Sequence, residues 1–434
     1  MDHKLKAPRS RIRELGRSIA NLAGSPPEGD KSNISNASGQ LTALHEEAQQ
    51  LKYDSQALSI RHANCLEEIH RLALSLPNLT SPETPSGNKP QLVQYINFDP
   101  ESPPPWLSAP NSDRSHVSIG TTLGLIDFTS GATSTGWGWY FLTNEGALLE
   151  HALTQYALTV AIRHGWKVVS PPSLVYSYIS EACGFQPRDQ NDEQQIWSIE
   201  QSEKDRSRPQ RSLTGTAEIP LAAMYAGRDI DPSTLPIKLV GSSRCYRAEA
   251  GARGTDTKGL YRVHEFTKVE LFGWVDSDPE APWSSSAALF SEILAIQTEI
   301  LTSLNLPCRI LEMPASDLGA NASRKRDIEV LFPSRLRSDS GDGSDKDAAW
   351  GEVTSASICT DYQTRRLRTR VRGDNIRGAR FPHTVNGTAV AVPRIIAAIL
   401  ENGWDETRRV VIVPEVLRDW MGGMQVIGAP SSQA

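Results

Sequence analysis

Residues 245–272, CYRAEAGARGTDTKGLYRVHEFTKVELF, are the most informative stretch of this 434-residue chain. They read as a strand, a glycine-rich loop and a second strand. On a strand, alternate side chains share a face. Tyr261, Val263, Val269 and Leu271 then point one way, into a core, and Arg262, His264, Phe266, Lys268 and Glu270 point the other. Arg247 and Glu249 share a face on the preceding strand. A platform of cations, carboxylates and one aromatic ring suits a nucleotide. Guanidiniums grip phosphates, a ring stacks on the base, and a carboxylate accepts from an exocyclic amine. The bland alternative is an exposed, salt-bridged sheet face. The intervening loop is no P-loop, because it lacks the GK[ST] ending and opens no helix. Its cations, Arg253 and Lys258, fit a loop closing over an anion. Arg394, just after Pro393 at the start of an apolar-periodic segment, stands at a predicted helix N-terminus, where phosphate is favoured.

The elements that must position these groups follow from periodicity. Positions 41, 44, 48, 51, 55, 58, 62, 65, 69, 72 and 76 keep a 3–4 spacing and hold mostly Leu, Ala and Ile, an imperfect heptad seam on one long helix over 39–76. Ile12, Leu15, Ile19 and Leu22 keep the same spacing upstream, and a Pro-, Gly-, Ser- and Asn-rich turn over 25–38 separates the two. The reading is an antiparallel helical hairpin over 1–77, with a first helix of about 17 residues after Ala7 and a longer second one ended by Pro77. The seam from Leu58 to Leu76 has no obvious partner within the hairpin. Residues 78–112 read as a linker and 113–434 as the globular part. Helices are expected near 145–164, 284–304 and 394–403, and strands over 236–276 and 349–372. No regular βαβ beat runs through them, which favours an α+β fold with a largely antiparallel sheet. Polar inserts near 199–211 and 335–348 read as surface loops.

Composition narrows the function classes. The chain is 38 % hydrophobic and 22 % charged, and no run approaches the ~18 apolar residues of a membrane span. Five well-separated cysteines, with no CxxC pair, argue against a disulfide framework and a structural zinc site. The net charge of −6 neither points to a nucleic acid nor excludes one. Two basic patches stand out locally: six Lys/Arg against two acids in residues 1–24, and seven Arg against one Asp from Arg365 to Arg380. A solvated face is the ordinary reading of either.

The stretch 245–272 resembles motif 2 of class II aminoacyl-tRNA synthetases in its seryl-tRNA synthetase form. Other segments agree, in the family's order: HALTQYALTVAIRHGWKVVSPP (151–172) with motif 1, LTGTAE (213–218) with the serine-binding TAE element, WGEVTSASICTDYQTRR (350–366) with the strand before motif 3, and HTVNGTAVAVPRIIAAILENG (383–403) with motif 3. The hairpin ending in LPN at 76–78 resembles the family's tRNA-binding arm, in a shortened form. The resemblance implies a class II antiparallel sheet flanked by helices. It also implies a serine–tRNA ligase that uses ATP and Mg²⁺ to make seryl-adenylate, then passes serine to the 3′ end of the serine tRNA. Roles follow by position. Arg247 would hold the α-phosphate, Glu249 the adenine amino group, Phe266 the adenine ring, and Arg262 and Arg394 the outer phosphates; Arg247, Arg262 and Arg394 are thus the catalytic candidates. Ala248 and Val263 complete the ATP set with Glu352, Val353, Thr354 and Ser355, of which Glu352 and Ser355 would bind the metal. Strand alternation gives no help there, since residues three apart do not share a flat face. Serine would meet Thr216, Ala217, Glu218, Glu270 and Thr388, with Glu218 on the ammonium group and Glu270 and Thr388 on the hydroxyl. Ala248 stands where the family usually has serine.

The resemblance further implies a homodimer through motif 1. The basic start and divergent arm suggest a mitochondrial form, with a cytoplasmic enzyme as the alternative. Two other readings are a catalytically inactive synthetase-like RNA-binding or regulatory paralogue, and a ligase that loads a carrier protein. An inactive paralogue should first lose the arginines and carboxylates of the ATP site, yet Arg247, Glu249, Arg262, Glu270, Glu352 and Arg394 are all present.

Overall fold

The computed structural model describes residues 2–24, 31–108, 114–185, 195–249, 259–277, 283–336, 345–373 and 380–428. It divides into two compact units, Met1–Leu76 and Pro77–Ala434. The loop cations Arg253 and Lys258 lie outside the described residues.

The first unit is a pair of helices, α1 (Asp2–Gly24) and α2 (Lys31–Ser75). Both exceed their expected bounds: α1 starts before Pro8, and α2 begins within the segment read as a turn. The seam explains the pairing. Leu41, Leu44, Ala48, Leu51, Ser55, Leu58 and His62 are all partly buried, and Leu15 on α1 is fully so. Arg11 ties the helices together through Glu47 at 3.0 Å. Beyond His62 the seam continues in sequence but is exposed: Cys65 faces solvent, and Ile69, Leu72 and Leu76 are each at least half in solvent.

The second unit is built on an eight-stranded sheet. Its strands in chain order are β1 (Gln91–Ile96), β2 (Lys167–Val169), β3 (Ile237–Tyr246), β4 (Glu265–Val275), β5 (Cys308–Glu312), β6 (Arg324–Leu331), β7 (Trp350–Thr360) and β8 (His383–Ala391). The spatial order is β1-β5-β6-β7-β8-β4-β3-β2. Every pairing is antiparallel except β2 with β3 at one edge. The opposite edge corrects the reading of 78–112 as a linker. β1 joins the sheet there, and the Asn78 amide donates to the carbonyls of Asn321 and Cys359 at 2.9 and 2.8 Å. Six residues without a regular alternation, set in a stretch rich in Pro, Ser and Asn, are too weak a signal to separate an edge strand from a tether.

Helices cover one face of this sheet: α4 (Asn144–Arg163), α6 (Ser284–Ser303) and α8 (Val392–Asn402). The chain also forms α3 (His116–Thr122), α5 (Glu218–Ala223) and α7 (Tyr362–Leu367). Alternation on β4 sorts the faces. Val269, Leu271 and Val275 enter the main core with α4, α6 and α8, as their spacing predicts. Phe272 and Trp274 pack on the other side, against Ile219, Leu221 and Ala222 of α5. Two glycines set how closely α6 lies on the sheet. A Cβ on Gly387 would come within 2.4 Å of Ile293, and one on Gly273 within 2.6 Å of Leu289. That leaves the stretch Phe266–Glu270 as floor for a site on the open face.

Candidate active site

Phe266, Lys268 and Glu270 occupy the open face of β4, as alternation predicts. Arg262 and His264 do not share that strand, because β4 begins only at Glu265. His264 turns away into a nest of Gly138, Trp139 and Trp197. From there its Nδ1 lies 3.0 Å from the carbonyl of Arg247, which it helps to hold. Gly138 must be a glycine: its φ is 83°, and a Cβ would sit 2.5 Å from the His264 ring. β3 likewise ends at Tyr246, so Arg247 and Glu249 stand on the following turn. Glu249 takes a left-handed φ of 49°, an uncommon conformation for a non-glycine residue and one concentrated at functional sites. Its carboxylate accepts from Arg262 Nη1 at 3.1 Å, and the Arg247 guanidinium lies 5.2 Å from the centre of the Phe266 ring.

The neighbouring strands supply the far wall. β6 and β7 slip register at one point: Ile328 pairs with Thr354, but Glu329 pairs with Glu352. Val353 is therefore an extra residue, a β-bulge, and it reverses the parity of the strand. Glu352 and Ser355 can then line one cavity although they are three apart. Thr354 turns its hydroxyl to Gln297 of α6, 2.9 Å away. Asp327 pairs with Ser355 across the ladder, is buried, and leaves its Oδ1 without a hydrogen-bond partner.

The third wall is the N-terminus of α8. Pro393 occupies the first turn, where its missing N–H costs nothing. Arg394 follows, donating through Nε to the Tyr261 carbonyl at 3.1 Å and through Nη1 to the Glu352 carbonyl at 2.9 Å. Burial is the largest influence and works against the Arg394 charge, but Glu352, Tyr261 and Glu249 together outweigh it and hold the guanidinium above its ordinary value. Conversely, burial alone would raise Glu352, while Arg394, Lys325 and Arg247 bring it well below the usual carboxylate range. Tyr261 is clasped between Arg335 and Arg394, 3.9 and 4.6 Å from its ring centre.

These walls line one cleft of about 590 Å³, part of it open to solvent. Arg247, Glu249, Arg262, Val263, Phe266, Glu352, Val353, Thr354, Ser355, Thr388 and Arg394 all border it. The Nε of Arg262 is buried there with no partner. Ala248 does not border it; its N–H donates to Gln195 instead, at 3.1 Å.

The remaining candidates lie behind the cavity. Lys268 borders it and bonds Glu270 at 2.5 Å, and the Thr388 hydroxyl donates to the same carboxylate at 3.2 Å. Further back, Thr216, Ala217 and Glu218 are buried at the start of α5. The Thr216 hydroxyl accepts from the Glu218 N–H at 3.2 Å. The Glu218 carboxylate accepts from Gln363 at 2.5 Å and Asn321 at 3.1 Å. Gln363 is itself fixed by the Thr384 hydroxyl at 2.6 Å. Burial, and then the nearby Glu270, raise the Glu218 carboxyl to about 7; Lys268 and the amides of Gln363 and Asn386 offset only part of this. A buried carboxylate held by neutral amides has room in its electrostatics for one more cation.

Sequence reasoning gave no role to Lys268, Tyr261, Asn321 or Gln363. Lys268 stood on the expected polar face, in register with Phe266 and Glu270, and that position was its signal. Gln363 and Asn321 reach Glu218 from segments 145 and 103 residues away, and no local pattern announces such contacts.

Known proteins resemble this chain over most of its length. The family model of the tRNA synthetase class II core domain (G, H, P, S and T) matches residues 200–403. The mitochondrial serine–tRNA ligase of Saccharomyces cerevisiae is 40 % identical over 400 residues, covering 92 % of this chain and 81 % of that protein. The serine–tRNA ligase of Rhodopirellula baltica is 39 % identical over 355 residues, covering 82 % and 76 %. Among solved structures, the seryl-tRNA synthetase of Pyrococcus horikoshii complexed with ATP superposes with a TM-score of 0.72 at 28 % identity, covering 98 % of this chain and 91 % of that one.

Proposed function

This chain belongs to the seryl-tRNA synthetases, class II aminoacyl-tRNA ligases, and from that membership we propose how its cavity performs the reaction and with which partners. ATP occupies the walled cavity, with Arg247 on the α-phosphate, Arg262 and Arg394 on the outer phosphates, Phe266 against adenine and Glu249 on its amino group. The observation that carries this reading is the convergence of three guanidiniums on one cavity with an aromatic ring and Glu249. Serine lies beside it, its ammonium toward Glu218 and its hydroxyl toward Glu270 and Thr388. A carboxylate oxygen of serine attacks the α-phosphorus, the bond to the β-phosphate oxygen breaks, and pyrophosphate leaves. The terminal ribose hydroxyl of the tRNA then attacks the activated carbonyl and releases AMP. No side chain needs to act as nucleophile. The site positions reactants and stabilises charge growing on phosphate.

The donors fit Mg²⁺: Glu352, Ser355 and the unpaired Oδ1 of Asp327 are oxygens of the kind a hard cation takes. Bound there, the ion would neutralise charge on the phosphates. The partners are L-serine and the serine tRNA, the latter met by the α1–α2 hairpin. A second copy of the chain would pack on 151–172. Exposed Ile162 and Val168, and the free edge of β2, support that surface. Mitochondrial residence is supported by the yeast relative and the basic N-terminal helix; bacterial relatives leave a cytoplasmic enzyme as the competing assignment. Among the described residues no helix is long and apolar enough to cross a membrane.

The test is ATP–pyrophosphate exchange. It should proceed with serine and not with alanine or glycine, which lack the hydroxyl that Glu270 and Thr388 would bond. Exchange with serine no greater than with glycine would refute the active-ligase reading and favour the inactive paralogue.

A further inference from the structure

His116 lies far from the cavity in sequence and touches none of its walls directly, yet it is buried and doubly bonded. Its Nδ1 is 2.7 Å from Oε1 of Glu401, and its Nε2 accepts from the backbone N–H of Leu260 at 3.1 Å. A backbone N–H can only donate, so Nε2 is bare and the ring proton sits on Nδ1, pointing at the carboxylate. Glu401 is fully buried and takes three further donors: the His116 N–H, and the N–H and hydroxyl of Ser334.

Leu260 opens the segment that carries Tyr261, Arg262 and Val263 to the site. Glu401 and Arg394 sit on the same helix, seven residues apart, so they share a face two turns, about 10 Å, from each other. α8 thus grips the start of this segment twice. Arg394 takes the Tyr261 carbonyl directly, and Glu401 takes the Leu260 N–H through the His116 ring. Gly259 makes the approach possible: its φ is 68°, and a Cβ there would lie 2.1 Å from Nε2 of His116. Arg114, two residues before His116, caps the far end of α8 through the carbonyls of Glu401 and Trp404, both at 3.0 Å.

We propose that His116 is a positioning residue for ATP, a one-proton strut between Leu260 and Glu401 that holds Arg262 in register with Arg394. The proposal rests on the cavity being the ATP site. The wild-type exchange assay tests that reading separately, so the two can fail independently.

The test compares His116→Asn with His116→Gln in the full chain. Asparagine keeps a donor for Glu401 near the place of Nδ1 and offers nothing to Leu260. Glutamine places a carbonyl near Nε2 for Leu260 and gives up the Glu401 bond. Loss of one buried hydrogen bond corresponds to roughly a tenfold effect. Each variant breaks one end of the strut, so both His116→Asn and His116→Gln should raise the KM for ATP in serine-dependent exchange by about tenfold and leave the KM for serine unchanged. Ser334→Ala removes a bond to the same carboxylate without touching the strut, and should lower Tm while leaving the KM for ATP alone. A KM for ATP that stays at the wild-type value in either His116 variant, or ATP and serine KM rising together in step with lost Tm, overturns the proposal. Should His116→Asn not fold, Gly259→Ala replaces it: it spares every bond of Glu401 to Ser334, must show the same selective rise, and overturns the proposal if the KM for ATP stays put.

Discussion

Arg394 and Glu218 show opposite uses of burial. Arg394 is partly buried beside a carboxylate and keeps its charge; Glu218 is buried among amides and gives up part of its own. Removing a preorganised charge from a site of this kind costs on the order of 10²–10³ in rate. Arg394→Ala should lower serine-dependent exchange at least that far while circular dichroism and Tm stay near wild type. For Glu218 the sign follows from its raised pKa. Only the ionised form pairs with the serine ammonium, so kcat/KM for serine should fall as pH drops through about 7. The value for ATP should not follow. Glu218→Gln should be low and flat over the same range; a persisting inflection there would reassign the titrating group. Stability runs the other way. The unfolded carboxyl ionises near 4.5 and the folded one near 7, so the folded state holds the extra proton between them, and this group's contribution is lost as pH rises through that window.

At the scale of elements, the site depends on departures from regularity. The bulge at Val353 lets Glu352 and Ser355 serve one cavity, and a second slip between Thr388 and Val390 accompanies the placement of Thr388 opposite Glu270. The helical hairpin is a separate case. It has its own internal contacts and forms a unit distinct from Pro77–Ala434. Deleting residues 1–76 should therefore spare serine-dependent exchange and raise the KM for tRNA in the charging assay. Unchanged charging after deletion would remove the hairpin from the list of tRNA contacts.

At the scale of the whole molecule, the sheet ends at β2 in an open edge beside exposed Ile162 and Val168. Open edges and grouped apolar side chains are what a second copy would cover. The wild-type protein should sediment as a dimer at micromolar concentration. Ile162→Glu with Val168→Glu should sediment as a monomer; a dimer that survives both charges would place the interface elsewhere.

The order of motifs, the helical hairpin, the antiparallel strands and most of the residues bordering the cavity were legible in the sequence, because residue type, period and spacing are local properties. Val269 and Leu271 had to turn into the core, and Phe266, Lys268 and Glu270 had to turn out of it, once β4 was a strand. Only the tertiary structure decided the rest. It moved Arg247, Glu249 and Arg262 off the strands, inverted the parity of β7 with one extra residue, and drew Gln91–Ile96 onto the sheet edge. It also brought Gln363 and Asn321 to Glu218, and His116 to Leu260 and Glu401. Contacts of that kind depend on chain ends meeting across more than a hundred residues, and nothing in a local pattern encodes which distant side chain will arrive.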